Sequence, residues 1–225
     1  MQTIEPEKKG RLMRQCARMV SYICVPYAIP LVAVTLLLFG TYLNNLPLAS
    51  RFSLLGIIAA FTLLLPASAI GLYMCLHKLK PSHFHTRKNR FIPHLMFILS
   101  YIFCLVIMIR MRLPWYMTGI ILSVLLMLVT SLTASLKWKL SEHAMGMGAI
   151  LAGLVYFSAW YGFNPILWLG VCILLAGCVG TAVLILGNHT PSEVFLGYAL
   201  GYACATLGLT PGFNILVFFL FRLIH

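Results

Sequence analysis

The sequence contains few charged residues and almost no acidic ones. Of its 225 residues only 9% are charged. Aspartate is absent, and the four glutamates are outnumbered by 16 lysines and arginines. Hydrophobic residues make up 61% of the chain and the mean hydropathy is +0.97. A soluble domain could not bury that much apolar surface, so we expect the chain to lie in a membrane.

Paired cysteine motifs and long polar segments are also lacking. The seven cysteines form no CxxC pair and no zinc-type spacing, and most lie in apolar stretches, so we interpret them as packing residues. The longest polar connection is HKLKPSHFHTRKNR at residues 77–90, which leaves no room for a soluble domain. We predict a basic N-terminal tail at residues 1–18, too charged for a cleaved signal peptide, and a single membrane-embedded domain at residues 19–225.

Long apolar runs predict an all-α fold, a polytopic membrane helix bundle with six or seven transmembrane helices. A span needs about 20 residues, and runs of roughly that length lie at 19–43, 52–76, 91–109, 113–136, 144–160 and 164–187. A seventh span is predicted at 191–208, before the helix-breaking sequence Gly208-Leu209-Thr210-Pro211-Gly212. The roughly 13 residues after this break are too few to cross again.

Counting these spans assigns each connection to one of two membrane faces. Twelve basic residues fall on the face of the N-terminus and of connections 77–90, 137–143 and 187–190, and four fall on the other face. The positive-inside rule then favours a cytoplasmic location for the N-terminus and the crowded face. We expect a multi-pass protein of a bacterial inner membrane. Seven of the twelve lie in connections that we assign to an anion site, and without them the difference is five against four.

Only two acidic residues lie beyond the N-terminal tail, and each has a histidine nearby at a predicted membrane boundary. Ser141-Glu142-His143 opens the fifth span and His189-Thr190-Pro191-Ser192-Glu193 opens the seventh. Counting spans places both on the face of the basic connection. Cations and helix N-termini on one face suit an anion such as phosphate. The predicted constellation is Arg87, Arg90, Lys139, Ser141, His143, His189 and Glu193.

Each of these residues also fits a simpler interpretation. Thr190 and Glu193 form a capping-box pattern, and Ser141 fits an N-cap equally well. Arg87 and Arg90 are also typical of snorkelling or headgroup-binding residues. A metal site from two histidines and two glutamates (His143, His189, Glu142 and Glu193) is a further alternative, which the surrounding cations disfavour. A transporter is conceivable, but no matched pair of broken helices indicates one.

These segments resemble the type 2 phosphatidic acid phosphatases, whose signatures are KxxxxxxRP, PSGH and SRxxxxxHxxxD. Lys139-Leu140-Ser141-Glu142-His143 is similar to the second signature, in the KxSxH form of a divergent branch. The segment from Leu186 to Gly197 is similar to the third, with Glu193 replacing the aspartate. Arg87-Lys88-Asn89-Arg90-Phe91-Ile92-Pro93 is a looser match to the first. Val183 and Ala182 depart from the pattern, because they stand where the family has its arginine and serine.

The resemblance implies a metal-independent phosphatase that requires no cofactor. His189 would attack phosphorus and form a phosphohistidine, Glu193 would orient it, and His143 would protonate the leaving oxygen. The phosphate oxygens would be held by Arg87, Arg90, Lys139 and Ser141.

The implied substrate is a membrane lipid phosphate or pyrophosphate, for example a polyprenyl phosphate, and no nucleic acid partner is expected. The alternative is a pseudoenzyme or lipid-phosphate-binding protein that lost turnover with the arginine. The family's bacterial members commonly face outward, in contrast to the cytoplasmic side favoured by the charge count. The oligomeric state stays open.

Overall fold

All the regular structure in the described part of the chain is helical. The computed structural model describes residues 13–19, 28–40, 46–78, 91–135, 140–162, 164–187 and 189–223, and no strand occurs among them. The prediction of an all-α fold is therefore confirmed.

Helices are labelled here in chain order, and a short helical stretch at residues 13–19 precedes them. Their bounds are α1 Ile29–Gly40, α2 Leu48–Leu76, α3 Phe91–Arg110, α4 Trp115–Ala134, α5 Glu142–Tyr161, α6 Ile166–Ile185, α7 Pro191–Leu209 and α8 Pro211–Leu223. Within the described ranges, the five helices α2 to α6 are long and apolar enough to cross a membrane. A sixth span results if α7 and α8, which are bent by 70° at their junction, count as one. The chain is therefore a multi-pass helical membrane protein.

The helix bounds follow the apolar runs of the sequence. Helices α2 to α6 coincide with the runs predicted at 52–76, 91–109, 113–136, 144–160 and 164–187, and α7 ends at the predicted break. The predicted span at 19–43 contains α1, a 12-residue apolar helix, but residues 20–27 and 41–45 lie outside the described ranges. A full crossing there stays a prediction, as does the boundary between tail and membrane domain at residue 18.

Helix α6 shows why these helices require lipid. Ile166, Leu167 and Leu174 are each 73% exposed on its outer face. In water such a continuous apolar face would be strongly unfavourable, whereas lipid chains solvate it without cost. The outer face of α6 therefore contacts lipid.

The chain forms two units, each built from two segments. Unit 1 contains residues 1–26 and 136–206, and unit 2 contains residues 27–135 and 207–225. Helices α5 and α6 and most of α7 belong to unit 1, and helices α1 to α4 with α8 belong to unit 2. The two histidine–acid segments of the sequence both lie in unit 1.

In unit 2, a π-helical turn at Ala60–Leu64 interrupts α2. Pro66 has no N–H group and its ring clashes with the carbonyl of Thr62, so the regular hydrogen-bond ladder cannot continue there. Ser100 of α3 donates a hydrogen bond to the carbonyl of Phe61 in this turn, and Thr62 Oγ1 donates to Ile58 O at 2.8 Å. Because an unsatisfied carbonyl costs several kcal/mol in a bilayer, these hydroxyls stabilise the irregular turn.

The break between α7 and α8 is closed by a buried amide. Pro211 cannot donate to the last turn of α7, and the side chain of Asn214 takes over this role. Its Nδ2 donates to Gly208 O at 2.5 Å, and its Oδ1 accepts a bond from Thr118 Oγ1 of α4 at 3.3 Å. Asn214 is only 7% exposed, so its amide satisfies a carbonyl that water would not reach.

Candidate functional site

Helices α5 and α7 of unit 1 touch through glycines. A Cβ atom added at Gly201 would lie 2.0 Å from Met145 O, and one added at Gly148 would lie 2.2 Å from Tyr198 O. At Gly197 an added Cβ would lie 3.0 Å from Ser141 O. Small residues allow two helix backbones to approach closely in a membrane. The glycines therefore bring the backbones of α5 and α7 into direct contact.

This contact also fixes the direction of the two helices. Gly197 lies opposite Ser141, and Gly201, one turn later, lies opposite Met145, one turn after Ser141. Both helices thus run the same way and begin at the same end of unit 1, where the first two turns of α7 extend about 10 Å beyond the level of Ser141. The segments that carry the two histidine–acid pairs share this end, in agreement with the counting of spans.

Helix α6 completes the group. Its C-terminal half approaches α7, where an added Cβ at Gly180 would lie 2.6 Å from the hydroxyl of Tyr198. That hydroxyl donates a hydrogen bond to Ala176 O at 2.5 Å. Since α6 ends at Ile185 and α7 begins at Pro191, the C-terminus of α6 lies at the end where α7 begins.

Ser141 forms the N-cap of α5. Its side-chain oxygen accepts a hydrogen bond from Ala144 N at 3.4 Å, and its carbonyl accepts one from Met145 N at 3.0 Å. The residue is fully buried against Gly197. The N-cap interpretation is therefore confirmed, and the proposed phosphate contact of Ser141 stays a prediction.

Glu193 holds two groups with one oxygen. Its Oε2 accepts a hydrogen bond from Thr190 N at 2.9 Å, and Glu193 N donates to Thr190 Oγ1 at 3.4 Å, so the predicted capping box is present. The same Oε2 lies 3.6 Å from His189 Nδ1. The side chains of His189 and Glu193 are only 12% and 23% exposed, which weakens screening by water. Glu193 therefore serves both as part of the capping box and as the partner of the His189 imidazole, so the two interpretations of this residue hold together.

His143 lies in the first turn of α5 and is partly buried. It stands one turn before Met147, which packs into the apolar cluster between α5, α6 and α7. By helical spacing, His143 therefore lies at the side of α5 that faces α6, near the end from which the chain continues to His189. Both histidines belong to the same end of unit 1.

Val183 is part of the apolar core of unit 1. It is 4% exposed and clusters with Ala144, Val179 and Val194, among others. An arginine at this position, as in the signature that the sequence resembles, would have to pass its stem through this cluster. The packing of Val183 shows that the local structure is built for an apolar side chain.

Arg87, Arg90 and Lys139 lie outside the described residues. Their predicted part in holding phosphate stays a prediction. Unit 1 therefore supplies the histidines, the glutamate and two helix N-termini, while the cationic part of the predicted constellation is not placed.

The metal alternative predicts one cluster of histidine and glutamate side chains. Among the described residues, which include His143, His189, Glu142 and Glu193, no three histidine, cysteine or acidic side chains form a group that could hold a metal ion.

We compared the chain with protein-family models, curated proteins and solved structures, and no match was found. The resemblance to the type 2 phosphatidic acid phosphatases therefore stays a prediction that rests on its sequence motifs.

Sequence reasoning did not identify two residues that build unit 1. Gly148 and Tyr198 fix the distance between α7 and its neighbours. The spacing of four between Gly197 and Gly201 is a signal for close helix packing that could have identified the contact. No comparable signal marks Tyr198.

Proposed function

We propose that the protein is a membrane phosphatase that acts on a lipid phosphate or pyrophosphate. The observation that carries this proposal is the pairing of His189 Nδ1 with Glu193 Oε2 at 3.6 Å, at the end of unit 1 where both α5 and α7 begin. A carboxylate at one imidazole nitrogen orients the ring and leaves the other nitrogen for nucleophilic attack. Two helix N-termini favour the negative charge of a phosphate.

The chemistry then proceeds in two displacements at phosphorus. Nε2 of His189 forms a bond to phosphorus while the bond from phosphorus to the lipid oxygen breaks, and His143 gives that oxygen a proton. Water then attacks the phosphohistidine, with His143 accepting its proton, and releases inorganic phosphate and free His189. Glu193 stabilises the positive charge of the imidazole in both steps.

The membrane setting supports a lipid substrate. The exposed faces of these helices, such as that of α6, are apolar and lie in the hydrocarbon layer. The polar headgroup of a lipid therefore lies at the level of the helix ends. The lipid class stays open between phosphatidate-like and polyprenyl phosphates. A bacterial inner membrane and a cytoplasmic site belong to the same proposal.

The test is release of phosphate by the purified protein in nanodiscs. The substrates are phosphatidate, a polyprenyl phosphate and a polyprenyl diphosphate, with phosphatidylcholine as the negative control. His189→Asn and His143→Asn should each lower the rate by at least about 10²-fold, as expected for loss of a nucleophile or a general acid. The matched control is His77→Asn at the exposed end of α2, which should leave the rate unchanged.

A trapped intermediate gives a second readout. With a ³²P-labelled substrate and a rapid quench, acid-labile label should appear on wild-type protein, appear more slowly on His143→Asn protein, and be absent from His189→Asn protein. Phosphate release that persists in both variants would refute the assigned roles, and no release from any of these lipids would refute the phosphatase.

A second candidate function, binding of a lipid phosphate without turnover, is favoured by the burial of Val183. The resembled signature has a cation at this position, and here the side chain belongs to an apolar cluster. Wild-type protein that retains phosphatidate through size-exclusion chromatography but releases no phosphate would support this candidate. Retention should then fall in a variant that carries both His189→Asn and His143→Asn.

A further inference from the structure

Thr190, directly before α7, has a hydroxyl that is hydrogen-bonded to the backbone of Glu193. Thr190 Oγ1 accepts a hydrogen bond from Glu193 N at 3.4 Å, and the backbone N–H of Thr190 donates to Glu193 Oε2 at 2.9 Å. These two bonds close a ring from residue 190 to residue 193 and back. The ring thus connects Thr190, the neighbour of His189, to the Glu193 carboxylate that pairs with His189.

Without this ring, Glu193 would have several ways to arrange its side chain. A glutamate has three rotatable side-chain bonds, and a partly exposed carboxylate samples many rotamers. Both the backbone position of Glu193 and its Oε2 are tied to Thr190, so the rotamer that faces His189 Nδ1 is selected before any ligand arrives. The carboxylate is thereby preorganised.

A carboxylate fixed beside Nδ1 also determines the tautomer of the neutral imidazole. At 3.6 Å the two atoms are farther apart than in a hydrogen bond, but the negative charge of Glu193 favours the tautomer of neutral His189 whose proton is on Nδ1 and whose lone pair is on Nε2. In the other tautomer two lone-pair regions would face each other across the 3.6 Å separation. The nucleophilic tautomer therefore depends on where Glu193 is held.

We propose that Thr190 is a positioning residue, whose cap on Glu193 keeps His189 in the tautomer with Nδ1 protonated and Nε2 ready to react. The catalytic meaning of this tautomer rests on the proposed phosphatase function. The tautomer itself is independent of the proposed function, and it can be measured in protein without any substrate.

Three substitutions separate the hydroxyl of Thr190 from other effects. Thr190→Val keeps the shape of the side chain and the backbone N–H that donates to Oε2, and it removes only the acceptor that fixes the backbone of Glu193 relative to that N–H. Thr190→Ser restores that acceptor. The matched control is Ser192→Ala, because the Ser192 hydroxyl shares a 3.1 Å hydrogen bond with Thr190 Oγ1 rather than with Glu193.

The measurement is the pair of ¹⁵N shifts of His189 in protein labelled with ¹⁵N-histidine, in nanodiscs at a pH at which the imidazole is neutral. The His189→Asn spectrum identifies the signals by difference. Wild type, Thr190→Ser and Ser192→Ala should show a protonated Nδ1, and Thr190→Val should show a mixture of both tautomers. If a lipid phosphate is hydrolysed, kcat of Thr190→Val should fall about tenfold with KM within about twofold, since misplacement alone lowers turnover.

The outcomes keep this inference apart from the proposed function. Unchanged ¹⁵N shifts in Thr190→Val would overturn the positioning role, whatever the activity. Absence of phosphatase activity together with the predicted tautomer change would overturn the function and retain the positioning role. If Thr190→Val does not fold, Thr190→Gly replaces it, because glycine is tolerated at an N-cap but offers no hydroxyl.

Discussion

Substitution of Gly148 by alanine is the most direct test of how unit 1 holds its two helix N-termini together. An added Cβ would lie 2.2 Å from Tyr198 O and 3.0 Å from Tyr202 N, both of which are backbone atoms. An ordinary contact begins at 3.4 Å, so the Tyr198 carbonyl is too close by about 1.2 Å. Backbone atoms cannot rotate away, so α5 and α7 must separate.

The expected cost follows from this geometry. Overpacking a well-packed core costs about 1–3 kcal/mol. At Gly153, on the same helix, an added Cβ meets nothing within 4 Å. Gly153→Ala should therefore be neutral or stabilise by up to about 1 kcal/mol, because alanine has the better helix propensity.

The assay is thermal unfolding of both variants in the same detergent, with the reversible transition followed by circular dichroism. For a chain of this size about 2–4 °C corresponds to 1 kcal/mol, so Gly148→Ala should lower Tm by roughly 2–12 °C. Gly153→Ala should leave Tm unchanged or raise it slightly. Equal Tm values for the two variants would refute the close contact of α5 with α7, and with it the placement of both N-termini at one end of unit 1.

Three further perturbations test other contacts. Tyr198→Phe removes the hydroxyl that donates to Ala176 O of α6 and should cost about 0.5–1.5 kcal/mol. Its Tm should be lower than that of the control Tyr202→Phe, which changes an exposed tyrosine. Equal Tm values would contradict the hydrogen bond. Asn214→Leu leaves the carbonyl of Gly208 without its amide donor and should cost about 1–3 kcal/mol. The expected result is faster proteolysis near the junction of α7 and α8. Unchanged cleavage would contradict the role of the Asn214 amide. Val183→Arg should lower Tm rather than raise phosphate release, since a guanidinium stem enters an apolar cluster; a gain of activity at unchanged Tm would show that the site accepts the missing cation.

The helices of this protein are largely predictable from the sequence. A run of about 20 apolar residues has few stable forms other than a membrane-spanning helix, because the backbone must satisfy its own hydrogen bonds in lipid. The break after Leu209 follows in the same way from Pro211, which has no N–H to give. The shared end of the two histidine–acid segments also follows, since two intervening spans return the chain to the same face.

The candidate site was predicted less completely. The spacing of His189 and Glu193 indicates that they can meet, and the Thr190 pattern indicates a cap, but the sequence offers these as competing interpretations. The structure combines them through one carboxylate oxygen that lies 2.9 Å from Thr190 N and 3.6 Å from His189 Nδ1. A pattern of residue types cannot show that one atom serves two partners.

The sequence by itself determined which segments are helices, where they begin and break, and which polar residues lie at their ends, because these depend on local hydrogen bonding and on the thickness of a bilayer. Only the tertiary structure decided how each helix is rotated against its neighbours. That rotation turns Gly148 toward the backbone of Tyr198 but leaves Gly153 in open space, and it buries Val183 among apolar side chains. Rotation depends on the fit of two surfaces, and a helix that is apolar on all sides carries no signal for it.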